Sequence, residues 1–102
     1  MNTTPMKLVT IIAEALLEDR LVKELQGLGA HGYTITRASG RGTRGVQASD
    51  WEGNNVRIET LVGPEVADQI LTHLTEHYFE LYAVVAYLQT VEVVRAGKYA
   101  EP

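Results

Sequence analysis

Apolar and polar positions change their period several times along the chain, and the first two patterns predict a strand and a helix. Residues 7–13 (KLVTIIA) form a short apolar run rich in β-branched side chains, which predicts a strand buried on both faces. From Glu14 the period becomes helical, with charged residues on the other faces. The apolar stripe of this predicted helix is Leu17, Leu21, Leu25 and Leu28. Gly27 and Gly29 are predicted to end the helix with left-handed caps.

Two further segments alternate between apolar and polar side chains, as half-covered strands do. They are residues 32–38 (GYTITRA) and residues 55–62 (NVRIETLV). About sixteen residues separate them, which is long for a loop without structure of its own, and loops of this length are usually functional or disordered. The pattern therefore predicts one long excursion between two strands rather than a tight hairpin.

Gly63 and Pro64 predict the start of a second helix, because proline is favoured at the first helical position. Glu65 and Asp68 follow in the first turn, where the helix dipole favours acidic side chains. The predicted buried stripe of this helix is Ala67, Ile70, Leu71 and Leu74. Residues 81–94 (LYAVVAYLQTVEVV) then predict a strand of more than average length, which either pairs beyond its own sheet or bends midway.

The order of predicted elements is strand, helix, strand, loop, strand, helix, strand. This order predicts an α+β fold, the ferredoxin-like βαββαβ sandwich, in which two helices cover one face of a four-stranded antiparallel sheet. The other face would be an exposed hydrophobic patch, which commonly marks self-association, and closed cyclic symmetry would cover it.

Length and composition limit the class of protein. The chain has 102 residues, 45% of them hydrophobic, which suits a single domain over residues 1–102. It has no cysteine, so disulfides, thiolate metal sites and cysteine nucleophiles are excluded, and the cytoplasm is the expected compartment. No apolar run approaches the roughly 18 residues of a membrane span, so any membrane role is expected to act through a partner.

The chemically most unusual stretch is residues 39–47 (SGRGTRGVQ), in which glycines and arginines are interleaved. Together with Arg37 it is a cationic segment without an acidic residue, in a chain whose net charge is −4. Glycines let backbone N–H groups converge on an anion, and arginines add charge-assisted hydrogen bonds. The stretch predicts a small anionic ligand or a defined acidic partner surface, and it argues against nucleic acid, which needs a basic face. The alternative is a solvated, disordered loop whose charges serve solubility.

Gly40, Gly42 and Gly45 formally match the dinucleotide-binding fingerprint, but their context contradicts it. Residues 46–54 have no helical pattern, and the chain is too short for a doubly wound sheet. No serine or threonine of this region has a nearby histidine and acid to activate it, so no catalytic residue is predicted.

His73 and His77 lie four residues apart on the second predicted helix, which is the spacing of two metal ligands on one helix face. A third ligand is not evident, so a solvent-facing pair is the favoured interpretation and no metal site is predicted. Trp51 lies in the polar part of the loop, where it is predicted to contact a partner or to cover the ligand, with local packing as the alternative.

Longer segments of the sequence resemble a known family. They are KLVTIIAE with the leucine-rich helix, GAHGYTITRASGRGTRGV, NVRIETLV and HYFELYAVVAYLQTVEVV. Across nearly the whole chain these segments resemble the PII signalling superfamily, and more narrowly the PII-like proteins encoded beside bicarbonate transporters or carboxysome genes. The resemblance implies a ferredoxin-like trimer that binds adenine nucleotides in clefts between subunits and presents a mobile loop, the T-loop, to a target protein.

Carried over by position, the resemblance implies a set of nucleotide-binding residues. From the second strand and the loop they are Gly32, Tyr33, Thr34, Arg41, Gly42, Thr43, Arg44 and Gly45, and from the later strands they are Arg57, Tyr87, Leu88 and Gln89. Residues 41–45 would form the base of a T-loop over residues 39–54 and would meet the phosphates. Residues 87–89 would come from the neighbouring subunit, and residues 95–102 would form a short flexible tail.

Departures from the classical family members narrow the function that the resemblance implies. The T-loop has no tyrosine for nucleotidylylation, and residues 77–81 (HYFEL) replace the loop that clamps triphosphate. The basic C-terminal residues are reduced to Arg95 and Lys98. These departures favour AMP or ADP, with cyclic AMP and ATP as further candidates, and disfavour 2-oxoglutarate sensing. The expectation is a non-enzymatic, trimeric sensor of adenine nucleotides and bicarbonate, which regulates inorganic-carbon uptake through a bicarbonate transporter or a carboxysome-related protein.

Two other functions stay open on the sequence alone. One is a weak nucleotide hydrolase that uses the same cleft, although the sequence shows no evident general base. The other is a nucleotide-independent trimeric adaptor, related in fold to the divalent-cation-tolerance proteins. Phosphate release by the purified protein would identify the first, and a melting temperature that adenine nucleotides do not raise would identify the second.

Replacing Arg44 with alanine tests the anion-binding role of the loop. We expect Arg44→Ala to weaken ADP binding by about 1.5–3 kcal/mol, because a charge-assisted hydrogen bond to phosphate is lost. Titration calorimetry measures this change, and an unchanged affinity would contradict the assignment.

Overall fold

The computed structural model describes residues 1–40 and 54–94. The strands in this part are β1 (Thr4–Glu14), β2 (Thr34–Ala38), β3 (Asn55–Val62) and β4 (Val85–Val93). The helices are α1 (Glu18–Leu28) and α2 (Pro64–His77), and a short 3-10 turn, Ala15–Leu17, joins β1 to α1.

The four strands form one antiparallel sheet in the order β2-β3-β1-β4. β1 therefore pairs with β3 on one side and with β4 on the other. Strand, helix and strand follow one another twice along the chain, and the two strand pairs interleave in the sheet. This is the ferredoxin-like α+β fold, so the predicted fold class is confirmed.

One face of the sheet is covered by the helices and forms the core. Alternate residues of β1 and β3 point to this face and are almost fully buried: Val9, Ile11, Ala13, Val56, Ile58, Thr60 and Val62. The helices contribute their apolar stripes to the same core: Leu21, Leu25, Ala67, Ile70 and Leu74. Burial of a large aliphatic side chain contributes roughly 1.5–3 kcal/mol, so these contacts account for much of the stability of the sandwich.

The opposite face, here called the open face, carries no helix in the part of the chain that the structure describes. Leu8 and Ile12 of β1 point to it and are only half-buried, while Thr10 between them is fully buried. The prediction that β1 is buried on both faces is therefore right for Thr10 and wrong for its two apolar neighbours. On β4, the open-face residues Val85 and Tyr87 are 50% and 43% exposed.

Several predicted boundaries were wrong. β2 begins at Thr34 rather than at residue 32, and β1 extends from Thr4 to Glu14, beyond residues 7–13 at both ends. β4 begins at Val85 rather than at residue 81. Residues 78–84 form a succession of turns instead, in which the Tyr82 N–H donates to the Tyr78 carbonyl at 2.9 Å. Composition alone did not separate this apolar turn from the strand that follows it.

Gly29 ends α1 in the left-handed conformation, with φ of 112°. A Cβ atom at Gly29 would lie 3.2 Å from Cγ2 of Val66, which is tighter than most real contacts. Gly27, by contrast, lies inside α1, and a Cβ there would meet no described atom within 4 Å. The predicted left-handed cap is therefore confirmed at Gly29 and wrong at Gly27.

The two glycines give a matched pair of stability tests. We expect Gly29→Ala to lower the free energy of unfolding by about 1–2 kcal/mol, because alanine is strained at this φ and meets Val66. Gly27→Ala should raise it by about 0.5–1 kcal/mol, because alanine favours a helix. Urea unfolding measures both changes, and a shift of the same sign in the two variants would contradict this account of the helix end.

Candidate functional site

A groove lies on the open face, over β1, β3 and the start of β2. Its cavity volume is about 430 Å³, within the roughly 300–1,000 Å³ usual for small-molecule sites. The lining residues are Leu8, Gly32, Tyr33, Thr34, Glu59, Thr60 and Leu61. The groove is therefore built by three adjacent strands of the sheet and by the two residues that precede β2.

Strand register places the groove residues opposite one another. Thr34 pairs with Glu59, and Leu8 pairs with Leu61. The side chains of both pairs point to the open face of the sheet. Thr60 donates a hydrogen bond from Oγ1 to the carbonyl oxygen of Gly32 at 2.6 Å. This bond fixes the backbone just before β2, and with it the position of Gly32 in the groove.

The groove combines an apolar floor with polar groups at its side. Leu8 and Leu61 are aliphatic, Tyr33 adds a ring that is 42% exposed, and Glu59 is the charged residue of the described lining. The carboxylate of Glu59 can accept hydrogen bonds from an amino or hydroxyl group of a ligand. Such an arrangement suits a flat, largely apolar ring whose edge carries hydrogen-bond donors.

The structure brings together part of the predicted site. Gly32, Tyr33 and Thr34 all line the groove, although their role in binding nucleotide stays a prediction. Arg57 is exposed and shares the open face with Glu59, but it lies outside the groove lining. Four residues of the groove lining were not predicted from the sequence as site residues: Leu8, Glu59, Thr60 and Leu61. The alternation of residues 55–62 predicts that Glu59 and Leu61 share a sheet face with Arg57. This pattern could have identified both residues as candidates from the sequence.

The remaining predicted residues lie elsewhere. Tyr87, Leu88 and Gln89 are on β4, which β1 and β3 separate from β2 within the chain. Gln89 pairs with Leu8 and so comes beside the groove floor, whereas Leu88 points to the helix-covered face. Arg41, Gly42, Thr43, Arg44, Gly45 and Trp51 lie outside the described residues.

A second group of polar side chains, here called the Glu24 cluster, joins α1 to the end of α2. Its members are Arg20, Glu24, His73, Tyr78 and Tyr82. Glu24 Oε1 accepts a hydrogen bond from the Tyr78 hydroxyl at 2.6 Å and contacts His73 Nε2 at 2.8 Å. Arg20 donates from Nε to Glu24 Oε2 at 3.3 Å and from Nη1 to the Tyr82 hydroxyl at 3.1 Å.

This cluster corrects the interpretation of the histidine pair. His73 is not simply solvent-facing, because it is half-buried and bonded to Glu24, while His77 is exposed with its ring centroid 4.6 Å from that of His73. The i, i+4 spacing showed that the two rings share a helix face but could not show that α1 packs against it. Within residues 1–40 and 54–94, no group of three or more His, Cys, Asp or Glu residues is arranged to hold a metal ion.

Burial and hydrogen bonding shift two pKa values in this cluster. Burial of the Glu24 carboxyl group raises its pKa, but the hydrogen bonds from Tyr78, His73 and Arg20 together outweigh burial and leave the pKa below its usual value. The pKa of Tyr78 is raised, first because the hydroxyl is buried and second because it donates to the Glu24 carboxylate. The cluster is therefore stable with Glu24 ionised and Tyr78 protonated.

The sequence matches the family model for nitrogen regulatory protein P-II over residues 6–98. None of the helices in the described ranges is long and apolar enough to cross a bilayer.

Solved structures with this fold include a putative PII-like signaling protein from Thermus thermophilus. It is 56% identical, with a TM-score of 0.84, and the match covers 97% of this chain and 99% of that one. CPII from Thiomonas intermedia is 25% identical in its structure bound to ADP and bicarbonate, with a TM-score of 0.83 and coverage of 96% and 97%. A CPII structure bound to ADP, AMP and bicarbonate is also 25% identical, with a TM-score of 0.79 and coverage of 92% and 98%.

The raised pKa of Tyr78 predicts how stability depends on alkaline pH. The unfolded chain releases this proton near pH 10 while the native state keeps it, so the contribution of Tyr78 is complete below about pH 10 and is lost as the pH rises further. Tyr78→Phe removes the titrating group and should lower the free energy of unfolding by roughly 1–3 kcal/mol at neutral pH. The difference in free energy of unfolding between wild-type protein and Tyr78→Phe should become smaller above about pH 10.

Urea unfolding of wild-type protein and Tyr78→Phe across a pH series measures this difference in free energy of unfolding. A difference that stays constant through the alkaline range would show that Tyr78 titrates alike in the folded and unfolded states.

Proposed function

We propose that this chain, which belongs to the nitrogen regulatory protein P-II family, is a non-enzymatic sensor that binds AMP or ADP in the groove of the open face. In this proposal three chains associate, the neighbouring chain completes each nucleotide site, and bicarbonate acts as a second ligand. The segment between β2 and β3 signals to a bicarbonate transporter or a carboxysome-related protein of the cytoplasm.

The observation that carries the proposal is the groove itself. Residues 32–34, which the family resemblance assigned to nucleotide binding, lie together in a groove of suitable size, opposite Glu59 and beside Leu61. An adenine ring placed over Leu8 and Leu61 would bury apolar surface. Its amino group or a ribose hydroxyl would donate to the Glu59 carboxylate.

The ligands of CPII support the choice of nucleotide and of bicarbonate. CPII binds ADP and bicarbonate in one solved structure, and ADP, AMP and bicarbonate in another. The same ligands are proposed for this chain because the two proteins share their fold over more than nine-tenths of both chains. ATP and cyclic AMP stay alternatives that a binding screen distinguishes.

The open face supports self-association. Val85 and Tyr87 leave large apolar area exposed on β4, and such a surface is commonly covered by another subunit. Thr10, on the same face, is 1% exposed, and its hydroxyl has no hydrogen-bond partner among the described residues. In the proposed trimer a second chain covers this face and brings Tyr87, Leu88 and Gln89 to the nucleotide of its neighbour.

The signal in the proposal passes through residues 39–54. This segment joins β2 and β3, the two strands that carry Thr34 and Glu59 of the groove. Phosphates of a bound nucleotide would meet Arg41 and Arg44, whose charges are complementary to them. Trp51 of the same segment is proposed to contact the target protein.

A valine at position 32 tests the groove. A Cβ atom at Gly32 meets no described atom within 4 Å, so the fold should tolerate Gly32→Val while the larger side chain displaces the ligand. We expect the dissociation constant for ADP to rise by about tenfold, since that corresponds to a loss of roughly 1.4 kcal/mol, within the usual range for steric overlap. Titration calorimetry measures the affinity, and thermal unfolding checks that the fold is retained.

Thr36→Val is the matched control, because Thr36 points to the open face, four residues after Gly32 and two after Thr34, but does not line the groove. Equal ADP affinity in both variants and wild type would place the nucleotide elsewhere. The same calorimetric screen with AMP, ATP and cyclic AMP, with and without bicarbonate, identifies the preferred ligands. Release of phosphate would favour the hydrolase alternative, and no binding of any nucleotide would favour the adaptor.

A further inference from the structure

Thr10 lies at the centre of the open face, on the strand that separates β3 from β4. Strand register places Glu59 of β3 directly opposite Thr10 on one side and Tyr87 of β4 directly opposite it on the other. Thr34 of β2 in turn pairs with Glu59. One row of four polar side chains therefore crosses the sheet, and Glu59, which lines the groove, lies between two threonines.

The two threonines of this row have different surroundings. Thr34 is exposed, so water can form hydrogen bonds with its hydroxyl group. Thr10 is 1% exposed, and its Oγ1 atom has no hydrogen-bond partner among the described residues. An enclosed hydroxyl group without a partner is unfavourable, because it has lost its hydrogen bonds to water. Thr10 therefore carries a hydrogen-bond donor that the described part of the chain leaves unused.

A residue of the same chain is better placed to pair with this hydroxyl group than a second subunit. Thr10 is already enclosed by its own chain, so a subunit that covers the open face would meet the side chains around Thr10 rather than its Oγ1 atom. The Cβ atoms of directly opposite residues lie about 4.5–5.5 Å apart. The flexible side chain of Glu59 can span this distance, whereas the rigid ring of Tyr87 carries its hydroxyl group past it.

Glu59 has the complementary requirement, because it is an acceptor without a partner. It is half-buried in the groove, and its carboxylate makes no hydrogen bond or ion pair with any residue in the described ranges. A carboxylate accepts hydrogen bonds at both oxygens and donates none. Water can supply these hydrogen bonds while the groove is open. A ligand that fills the groove displaces this water, and a carboxylate removed from water is costly unless it gains other hydrogen bonds.

We propose that Thr10 is a positioning residue for Glu59. When a ligand fills the groove, the Thr10 hydroxyl group donates to one oxygen of the Glu59 carboxylate, and the other oxygen accepts from an amino or hydroxyl group of the ligand. Thr10 thus orients the carboxylate without touching the ligand. The inference rests on the proposed function, in which that ligand is AMP or ADP.

Thr10→Val tests the proposal, because valine has the shape of threonine without the hydroxyl group. We expect two effects that favour opposite states. The melting temperature of the nucleotide-free protein should rise by about 4–8 °C at equal protein concentration, because an enclosed hydroxyl group without a partner is removed. The dissociation constant for ADP should nevertheless rise by about tenfold, because Glu59 loses its donor in the complex. A purely structural role of Thr10 would not combine a more stable free protein with weaker binding.

Two further variants serve as controls, with thermal unfolding and titration calorimetry as the measurements. Thr10→Ser keeps the hydroxyl group and should bind ADP within about threefold of wild type. Thr36→Val makes the same chemical change at an exposed position of the open face outside the groove. It should alter neither the melting temperature of the free protein nor the affinity for ADP.

A double-mutant cycle shows whether Thr10 acts through Glu59. Glu59→Ala removes the carboxylate, so adding Thr10→Val to this variant should raise the dissociation constant for ADP no further. A second loss of the same size in the Glu59→Ala background would overturn the proposal. A lower melting temperature of nucleotide-free Thr10→Val would also overturn it, because the hydroxyl group would then already have a partner in the free protein.

Gly32→Val separates failure of this inference from failure of the proposed function. If Gly32→Val weakens ADP binding while Thr10→Val binds ADP as wild type does, the groove is the nucleotide site and the role of Thr10 is wrong. If Gly32→Val itself binds ADP as wild type does, the nucleotide lies elsewhere, and the proposed function and this inference are both wrong.

Discussion

The position of β1 between β3 and β4 is the constraint on which the rest of the structure depends. Both pairings are antiparallel and continuous, so each residue from 7 to 12 of β1 has a fixed partner on either side. Because successive side chains of a strand point to opposite faces, a slip of one residue would turn Val9 and Ile11 out of the core. The same register keeps Leu8 opposite Leu61 in the groove. Packing of the core and construction of the site are therefore two consequences of one alignment.

The pattern of apolar residues predicted the fold because this alignment is specified by burial. β3 was predicted with its observed bounds, since its alternation is regular and a glycine and a proline follow it. The start of β4 was predicted wrongly, since residues 81–84 are as apolar as the strand itself. What separates the turn from the strand is its contact with α1, and no local pattern encodes a contact with a helix so distant in sequence. Local signals thus specified the sheet more reliably than its connections.

The same distinction explains which residues of the groove were among those predicted from the sequence. Gly32, Tyr33 and Thr34 are consecutive, so a resemblance in one short segment was enough to find them. Glu59 joins them only through the pairing of β2 with β3, which is a property of the register. Glu24 is separated from His73 by 49 positions, and nothing in its own helix distinguishes it from the other acids of α1. Residues of different helices or strands that contact one another can be identified only once the packing of those elements is known.

The fixed register also limits how a ligand could influence residues 39–54. Thr34 and Glu59 pair in the groove, whereas Ala38 and Asn55 pair where that segment leaves the sheet. The two pairs are four residue steps apart along the strand, which corresponds to roughly 13 Å. A ligand shifts a conformational equilibrium only by its differential affinity for the two states. In the proposed function, the base supplies affinity in the groove, and the phosphates, which that proposal assigns to Arg41 and Arg44, are the part of the ligand that carries the signal.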